Sequence, residues 1–555
     1  MRTFPGGRGG CVLAGDSKGR FTRGATSMVA SVFIAKLLGI LFVVPLQNLI
    51  GTYALGLYQL VYPLYNIMLT LTTAGFPLAL SKTISHFAAR GEYRKATATY
   101  SIVGRTLALS GVVGFFIMWF AGPLFLAGTA AGPASVRLAV PAVRALAPAL
   151  LILPLMSAQR GYLQGNLRLE PSGSSQVLEQ FVRVGVVLLG LIVAVRLGAG
   201  PSTTAAIATF GATAGAVAAF VFLLHAVRRL RRELARKSRY APVPQLRPGY
   251  VLPQLFIYSL PIALGTLVLP ISQSIDAWTV TRELRSAGTS AVAAIALYAI
   301  YSGEALRLMQ VPLSFATAIG ASVMPAVTEA VTLHDSALAH RRLLAALRMT
   351  AFVTLPAAVS LAALARPIDI ALFQQPNGVQ VIAIAAIISV FSALELVSTY
   401  ILQGYNTFYR PVWHMAAGAA VKLGGNLLFI PLVGINGAAL GSVCGYAFSS
   451  WLNMLSLRRI ARTQVTFLTA AWRPLAAAVT AGLIMYMINR LYVIVSLNRH
   501  APDSRSLALL CILVAGAVGA PLYLGAALWI RAVTREELAA LPVLGRLARR
   551  AQKPV

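Results

Sequence analysis

The residues best placed to do chemistry in this chain are charges set inside long apolar runs. Lys36, Arg183, Arg307 and Lys422 each fall near the middle of such a run, and Arg144 lies nearer the end of one. A charge at the centre of a bilayer costs at least about 2.5–3.5 kcal/mol. Each must therefore face water, lose its charge or find a partner on another helix. Cations from several helices around one cavity would attract an anion, and an arginine grips phosphate oxygens through two parallel hydrogen bonds. These five are the expected cavity cations. Acids are scarcer. Glu179 precedes Arg183 by four residues and Glu304 precedes Arg307 by three. Both spacings put the pair on one helix face, so the two acids are expected to support those arginines. Asp276, Asn406 and Asn426 offer oxygens for a candidate ion site.

No enzyme signature accompanies them. There is no P-loop, no HExxH and no CxxC. The three cysteines, Cys11, Cys444 and Cys511, are isolated, which gives neither a disulfide framework nor a metal site. The chain reads as a transporter, with no catalytic residue and no cofactor expected. Without a nucleotide-binding motif, its energy would come from a monovalent cation gradient, the membrane potential or the gradient of its own substrate.

The elements that must hold these charges follow from composition. The chain has 555 residues, 58% hydrophobic and 11% charged, with a mean hydropathy of +0.75. Ordinary soluble domains carry about 25% charged residues, so a soluble fold of this size is excluded. A span needs roughly 20 apolar residues in a helix, and the runs are continuous rather than alternating. They predict an all-α polytopic membrane protein with about 14 transmembrane helices, including spans at 26–48, 55–81, 137–163 and 290–325. Residues 1–24 lack an apolar core and read as a disordered cytoplasmic leader.

The formal charge of +32 would ordinarily suggest nucleic acid. With both termini inside, 31 Lys and Arg fall on cytoplasmic segments and 8 on external ones, which is a topology signal. The run 228-RRLRRELARKSR-239 then reads as a linker against anionic lipid, and no nucleic-acid partner is expected. The chain also repeats itself. Leu163-Gln164-Gly165 and Leu402-Gln403-Gly404 close two spans 239 residues apart, and Arg183 and Lys422 share that offset. A looser match at an offset of 243 relates residues 85–92 to 328–335. The expected organisation is an N-lobe of six helices (25–229), a basic linker (230–249) and a C-lobe of six helices (250–460). Two further helices (461–531) and a basic cytoplasmic tail (532–555) follow. Paired repeats with the substrate site between them are a recurrent transporter design.

Several stretches resemble a known family. Ala35-Lys36-Leu37-Leu38-Gly39 resembles the Ser-[Arg/Lys]-x-Leu-Gly signature in the first helix of lipid-linked oligosaccharide flippases. Residues 51-GTYALGLYQLVYPLYNIMLTLTTAGFPLALSKTIS-85 and 176-QVLEQFVRV-184 resemble the stage V sporulation protein B type of the polysaccharide-biosynthesis family. Arg307-Leu308-Met309-Gln310-Val311-Pro312, followed by Pro325, resembles the eighth-helix motif of the MurJ-type lipid II flippases. The similarity runs over roughly residues 20–530, and all these belong to the MOP exporter superfamily. The resemblance implies two six-helix lobes in a V around a cationic cavity, plus two C-terminal helices. It also implies transfer of an undecaprenyl-pyrophosphate-linked saccharide, most simply lipid II, across the plasma membrane by alternating access. Lys36 and Arg307 match the cations that hold the pyrophosphate, and cell-wall synthesis proteins become candidate partners. The chain departs from the Gram-negative lipid II flippases in having no arginine at 43 or within 66–76. Either Arg144, Arg183 or Lys422 substitutes, or the lipid-linked cargo differs. A cation-coupled multidrug exporter of the same superfamily is the rival expectation.

Overall fold

The computed structural model describes residues 27–28, 30–73, 75–129, 131–238, 248–462, 466–498 and 504–532. The leader 1–24, residues 239–247 of the linker and nearly all of the tail 532–555 lie outside these. Among the described residues every regular element is a helix. Among the described residues twelve helical segments are long and apolar enough to cross a membrane, against about fourteen spans expected. One reason is that the first two spans form a single segment, Ala30–Ala89, of 60 residues. Apolar side chains on the outside, Phe120, Leu189, Trp413 and Leu513 among them, are more than half exposed. Water penalises such a surface and lipid accepts it.

The chain forms two compact units. The first takes in residues up to Phe42, Leu60–Ala127 and Pro133–Pro270, and the second takes in Val43–Gln59, Gly128–Gly132 and residues from Ile271 onward. Along the chain run α1 (30–41), α2 (Val43–Thr73), α3 (Phe76–Ala89), α4 (Tyr93–Gly128), α5 (Pro133–Leu146), α6 (Ala149–Gly165), α7 (Leu169–Arg196), α8 (Pro201–Lys237) and α9 (Pro248–Ser286). Helix α2 is interrupted at Gly51, where φ 76° and ψ 169° fall in a region open almost only to glycine. Helix α8 continues through Lys237. The first residues expected in the linker are thus helical, and Glu233 there pairs with Arg168 at 2.8 Å and Lys237 at 3.2 Å.

From residue 291 the chain forms α10 (Ala291–Ala299), a π-helical turn (Ile300–Ala305), α11 (Leu306–Leu308), α12 (Gln310–Thr332), α13 (Ser336–Ala363), α14 (Ala365–Phe373), α15 (Val379–Gly404), α16 (Tyr409–Val433), α17 (Ile435–Ile460), α18 (Phe467–Asn498) and α19 (Arg505–Trp529). The last two helices pack against α13 through Phe352, Ala477, Ala481 and Tyr523, and the Tyr523 hydroxyl donates to the Phe352 carbonyl at 2.7 Å. The span expected at 290–325 is one run broken by the π turn. Such a turn carries an extra residue and often marks a functional site.

The repeat offsets recur in backbone geometry. Helix α6 ends with Leu167 at φ 60° and α15 with Asn406 at φ 57°. Around them the hydrogen bonds match residue for residue: the Arg168 N–H reaches the Leu163 carbonyl as the Thr407 N–H reaches the Leu402 carbonyl. A Cβ on Gly165 would lie 2.7 Å from the Ser81 carbonyl oxygen, and one on Gly404 would lie 3.1 Å from that of Met324. The α3–α6 and α12–α15 pairs are thus built on the same close approach, each needing glycine there. In the next pairs, α8 presses on α7 and α17 on α16. A Cβ on Gly215 would lie 3.1 Å from Arg183 Cβ, and one on Gly445 would lie 2.8 Å from Lys422 Cβ. Arg183 and Lys422 hold corresponding places in their own units.

Candidate functional site

The most densely charged interior lies in the second unit. Lys422 on α16 places its Nζ 2.5 Å from Asp276 Oδ2 on α9, and the two side chains are 6% and 3% exposed. Nζ also donates to Ser272 Oγ at 3.2 Å. Asn426, one turn further along α16, donates to Asp276 Oδ1 at 3.2 Å and to Thr279 Oγ1 at 2.8 Å. From the π turn, the Tyr301 hydroxyl donates to Asp276 Oδ2 at 3.3 Å and shares a 2.6 Å hydrogen bond with Ser442 of α17. Gly425 and Gly441 allow α16 and α17 this close: a Cβ on Gly425 would lie 2.8 Å from the Gly441 Cα. The network knits α9, the π turn, α16 and α17.

This arrangement corrects the expectation that Lys422 lines a cavity. Its charge is neutralised at contact distance, because a buried ammonium without a partner would cost several kcal/mol. The expected ion-site residues also divide. Asp276 and Asn426 meet, with the Lys422 ammonium already occupying the cation's place between them. Asn406 sits in the left-handed turn after α15, its backbone N–H bonded to the Gln403 carbonyl, and its role is to end the helix.

In the first unit the acid–base pairing differs from the i,i+4 expectation. Glu179 Oε2 accepts from Arg160 of α6 at 2.8 Å, and Arg160 also donates to Ser175 at 3.0 Å. Arg183 instead donates to the Tyr62 hydroxyl, its guanidinium 5.5 Å from the ring centre. Arg144 lies over Trp119 at 5.4 Å. A ring face provides a partner for a cation where carboxylates are few. Lys36 is exposed on α1, and Arg307 is half-buried on α11. Neither side chain has a hydrogen-bond or ion-pair partner among the described residues. Glu304 does not hold Arg307: it accepts from Gln47 Nε2 and lies beside Asp369.

Sequence reading missed Gln47, Arg160, Tyr301 and Asp369. Gln47 and Tyr301 carry no formal charge and so left no signal. Asp369 lies in a short helix between two runs, where it looked like loop. Arg160, near the end of an apolar run, counts on sequence alone among the cytoplasmic basic residues. Among the described residues no group of three His, Cys, Asp or Glu gathers to hold a metal ion.

Comparison with known proteins agrees with this architecture. The profile of the family described as "Polysaccharide biosynthesis protein" matches residues 21–331. The chain is 26% identical over 525 residues to "Lipid II flippase MurJ" of Bacillus subtilis (strain 168), covering 91% of this chain and 94% of that protein. It is 26% identical over 541 residues to "Stage V sporulation protein B" of the same organism, covering 96% and 99%. Its fold matches the solved structure "Lipid II flippase MurJ, inward closed conformation" with a TM-score of 0.62 at 13% identity, over 91% of this chain and 98% of that one. With its many apolar helices, the protein is a multi-pass membrane protein, and on the match over more than half of its length the chain belongs to the polysaccharide biosynthesis protein family.

Proposed function

We propose that this protein is a flippase that carries an undecaprenyl-pyrophosphate-linked saccharide, lipid II, from the inner to the outer leaflet of the plasma membrane by alternating access. Both termini lie in the cytoplasm in this reading. The observation that carries it is the sorting of the five candidate cations. Lys422 is neutralised by Asp276, Arg183 is engaged by Tyr62 and Arg144 by Trp119. Lys36 and Arg307 have no hydrogen-bond or ion-pair partner among the described residues, as a cation reserved for an anionic cargo would. Full-length likeness to a lipid II flippase supports the cargo.

A second reading keeps the mechanism and changes the glycan. The comparable likeness to a sporulation protein favours another lipid-linked polysaccharide unit, as does the lack of arginine at 43 and within 66–76. A cation-coupled drug exporter would want uncompensated acids facing its cargo; Asp276 and Glu179 are both spent on basic partners, and Glu304 and Asp369 lie against one another in the second unit. The test is complementation of a strain depleted of its lipid II flippase, with lipid II measured in the outer leaflet. Restored growth and lipid II exposure support the first reading. Failure with normal membrane expression supports the second.

A further inference from the structure

Two acids in the second unit face each other with no cation between them among the described residues. Glu304, on the π turn, is 2% exposed, and Asp369, on α14, is fully buried. Their carboxyl groups lie within hydrogen-bonding reach of one another. Each has its outer oxygen held by a neutral donor. Gln47 Nε2 donates to Glu304 Oε1, and the Gly378 backbone N–H donates to Asp369 Oδ2 at 2.7 Å. The inner oxygens converge: a Cβ on Gly378 would lie 3.1 Å from Glu304 Oε2 and 3.2 Å from Asp369 Oδ1. Asp369 Oδ1 is buried with no hydrogen-bond partner, and so is Gln47 Oε1. Two carboxylate oxygens are both acceptors, so they make no bond until a proton lies between them.

Among the described residues no basic side chain answers either acid. Arg307 stands three residues after Glu304, and Arg366 three before Asp369. From α19, Arg505 donates its Nε to the Ala371 carbonyl at 2.9 Å. From α2, Asn48 reaches the Leu372 carbonyl at 3.1 Å. Among the described residues none of these cations acts on either acid, and the charged neighbour of each carboxyl is the other. Like charges this close in a buried site cannot both ionise.

We propose that Glu304 and Asp369 form a buried proton-binding site, one proton being held between Glu304 Oε2 and Asp369 Oδ1 while Gln47 and Gly378 fix the outer oxygens. The proton comes from water, and no other bond is made or broken. Among the described residues the two carboxyl groups and Gln47 Oε1 bring five side-chain oxygens, two of them already accepting from Gln47 and Gly378, fewer than the six or so that a hard metal cation takes, which favours the proton. Losing it would set two negative charges against each other and loosen α14 from the π turn. Proton occupancy is thereby tied to the seating of the helix that also anchors α19 and the first part of α2.

Infrared difference spectroscopy on the purified full chain in lipid nanodiscs tests this. The native chain is expected to show a protonated-carboxyl band at neutral pH that shifts in deuterium oxide and fades in alkaline buffer. A component of that band is expected to vanish in Glu304→Gln and again in Asp369→Asn, with the amide bands reporting an intact helical fold. No such band in the native chain overturns the proposal, independently of how any variant folds. A band unchanged in folded variants also overturns it, by assigning the proton elsewhere. Loss of the component on titrating native protein with sodium chloride at fixed pH overturns it in favour of a metal cation.

Discussion

Replacing Lys422 by methionine keeps the length of the side chain and removes its charge. The ammonium sits 2.5 Å from Asp276 in a pocket where both side chains are nearly inaccessible. Lys422→Met therefore leaves a buried carboxylate held only by Asn426 and Tyr301, at 3.2 and 3.3 Å. Those bonds are long for a charge-assisted pair and offset little. Removing one member of a buried pair costs about 3–5 kcal/mol, and that is the expected loss of stability. Asp276→Asn alone is expected to cost a similar amount by stranding the ammonium. The double variant removes both charges, and its loss should fall short of the summed single losses by at least about 2 kcal/mol. The assay is reversible unfolding of the full chain in mixed micelles for all four proteins, with cargo transfer measured alongside in vesicles. A stable double variant that still moves its cargo marks Lys422 as an internal lock. A single loss under about 1 kcal/mol, or additive single losses, refutes the reasoning. A stable double variant without transfer returns Lys422 to the cargo path.

Three further outcomes follow from the same geometry. Lys36→Ala and Arg307→Ala should each abolish outer-leaflet exposure of the cargo at normal expression, because neither side chain has a hydrogen-bond or ion-pair partner to lose among the described residues; full activity of both removes them from the site. A double-mutant cycle on Arg160 and Glu179 should show coupling of about 1 kcal/mol for a partly exposed pair, while a cycle on Arg183 and Glu179 should show nearly none; the reverse ranking would restore the i,i+4 pairing. Gly215→Ala and Gly445→Ala should each destabilise by about 1–3 kcal/mol, since the new Cβ would meet the Glu179 and Gly418 carbonyl oxygens at 2.5 and 2.7 Å. Gly516→Ala, with nothing within 4 Å, should be neutral or stabilise by up to about 1 kcal/mol; thermal unfolding of the three separates these cases.

The helices were legible because a bilayer demands a length and a composition that stand out in one dimension. Their breaks were less so. The Gly51 interruption falls in the gap between the spans read at 26–48 and 55–81, whereas the π turn after Ala299 sits inside continuous apolar text, and only backbone geometry reveals it. The repeat was legible in detail, since the offsets between Leu163 and Leu402 and between Arg183 and Lys422 reappear as shared turns and shared helix contacts. Charge pairing was the weak point. Helical spacing sees only partners on the same helix, while a buried charge takes its partner from whichever helix packs against it. Glu179 therefore went to Arg160 rather than Arg183, and Glu304 to Gln47 and Asp369 rather than Arg307.

The Lys422–Asp276 pair also has a history within each molecule. Its members are 146 residues apart in the chain, and a ribosome adding about 5–20 residues per second needs on the order of 7–30 s to pass from one to the other. Throughout that interval α9 exists without the helix that neutralises it. It bears Asp276 within its length. A lone acid in the bilayer centre costs about 2.5–3.5 kcal/mol, so the nascent α9 has reason to wait at the membrane surface or in the insertion machinery. The arrival of α16 would then recruit it inward, making the order of synthesis part of how this protein acquires its topology.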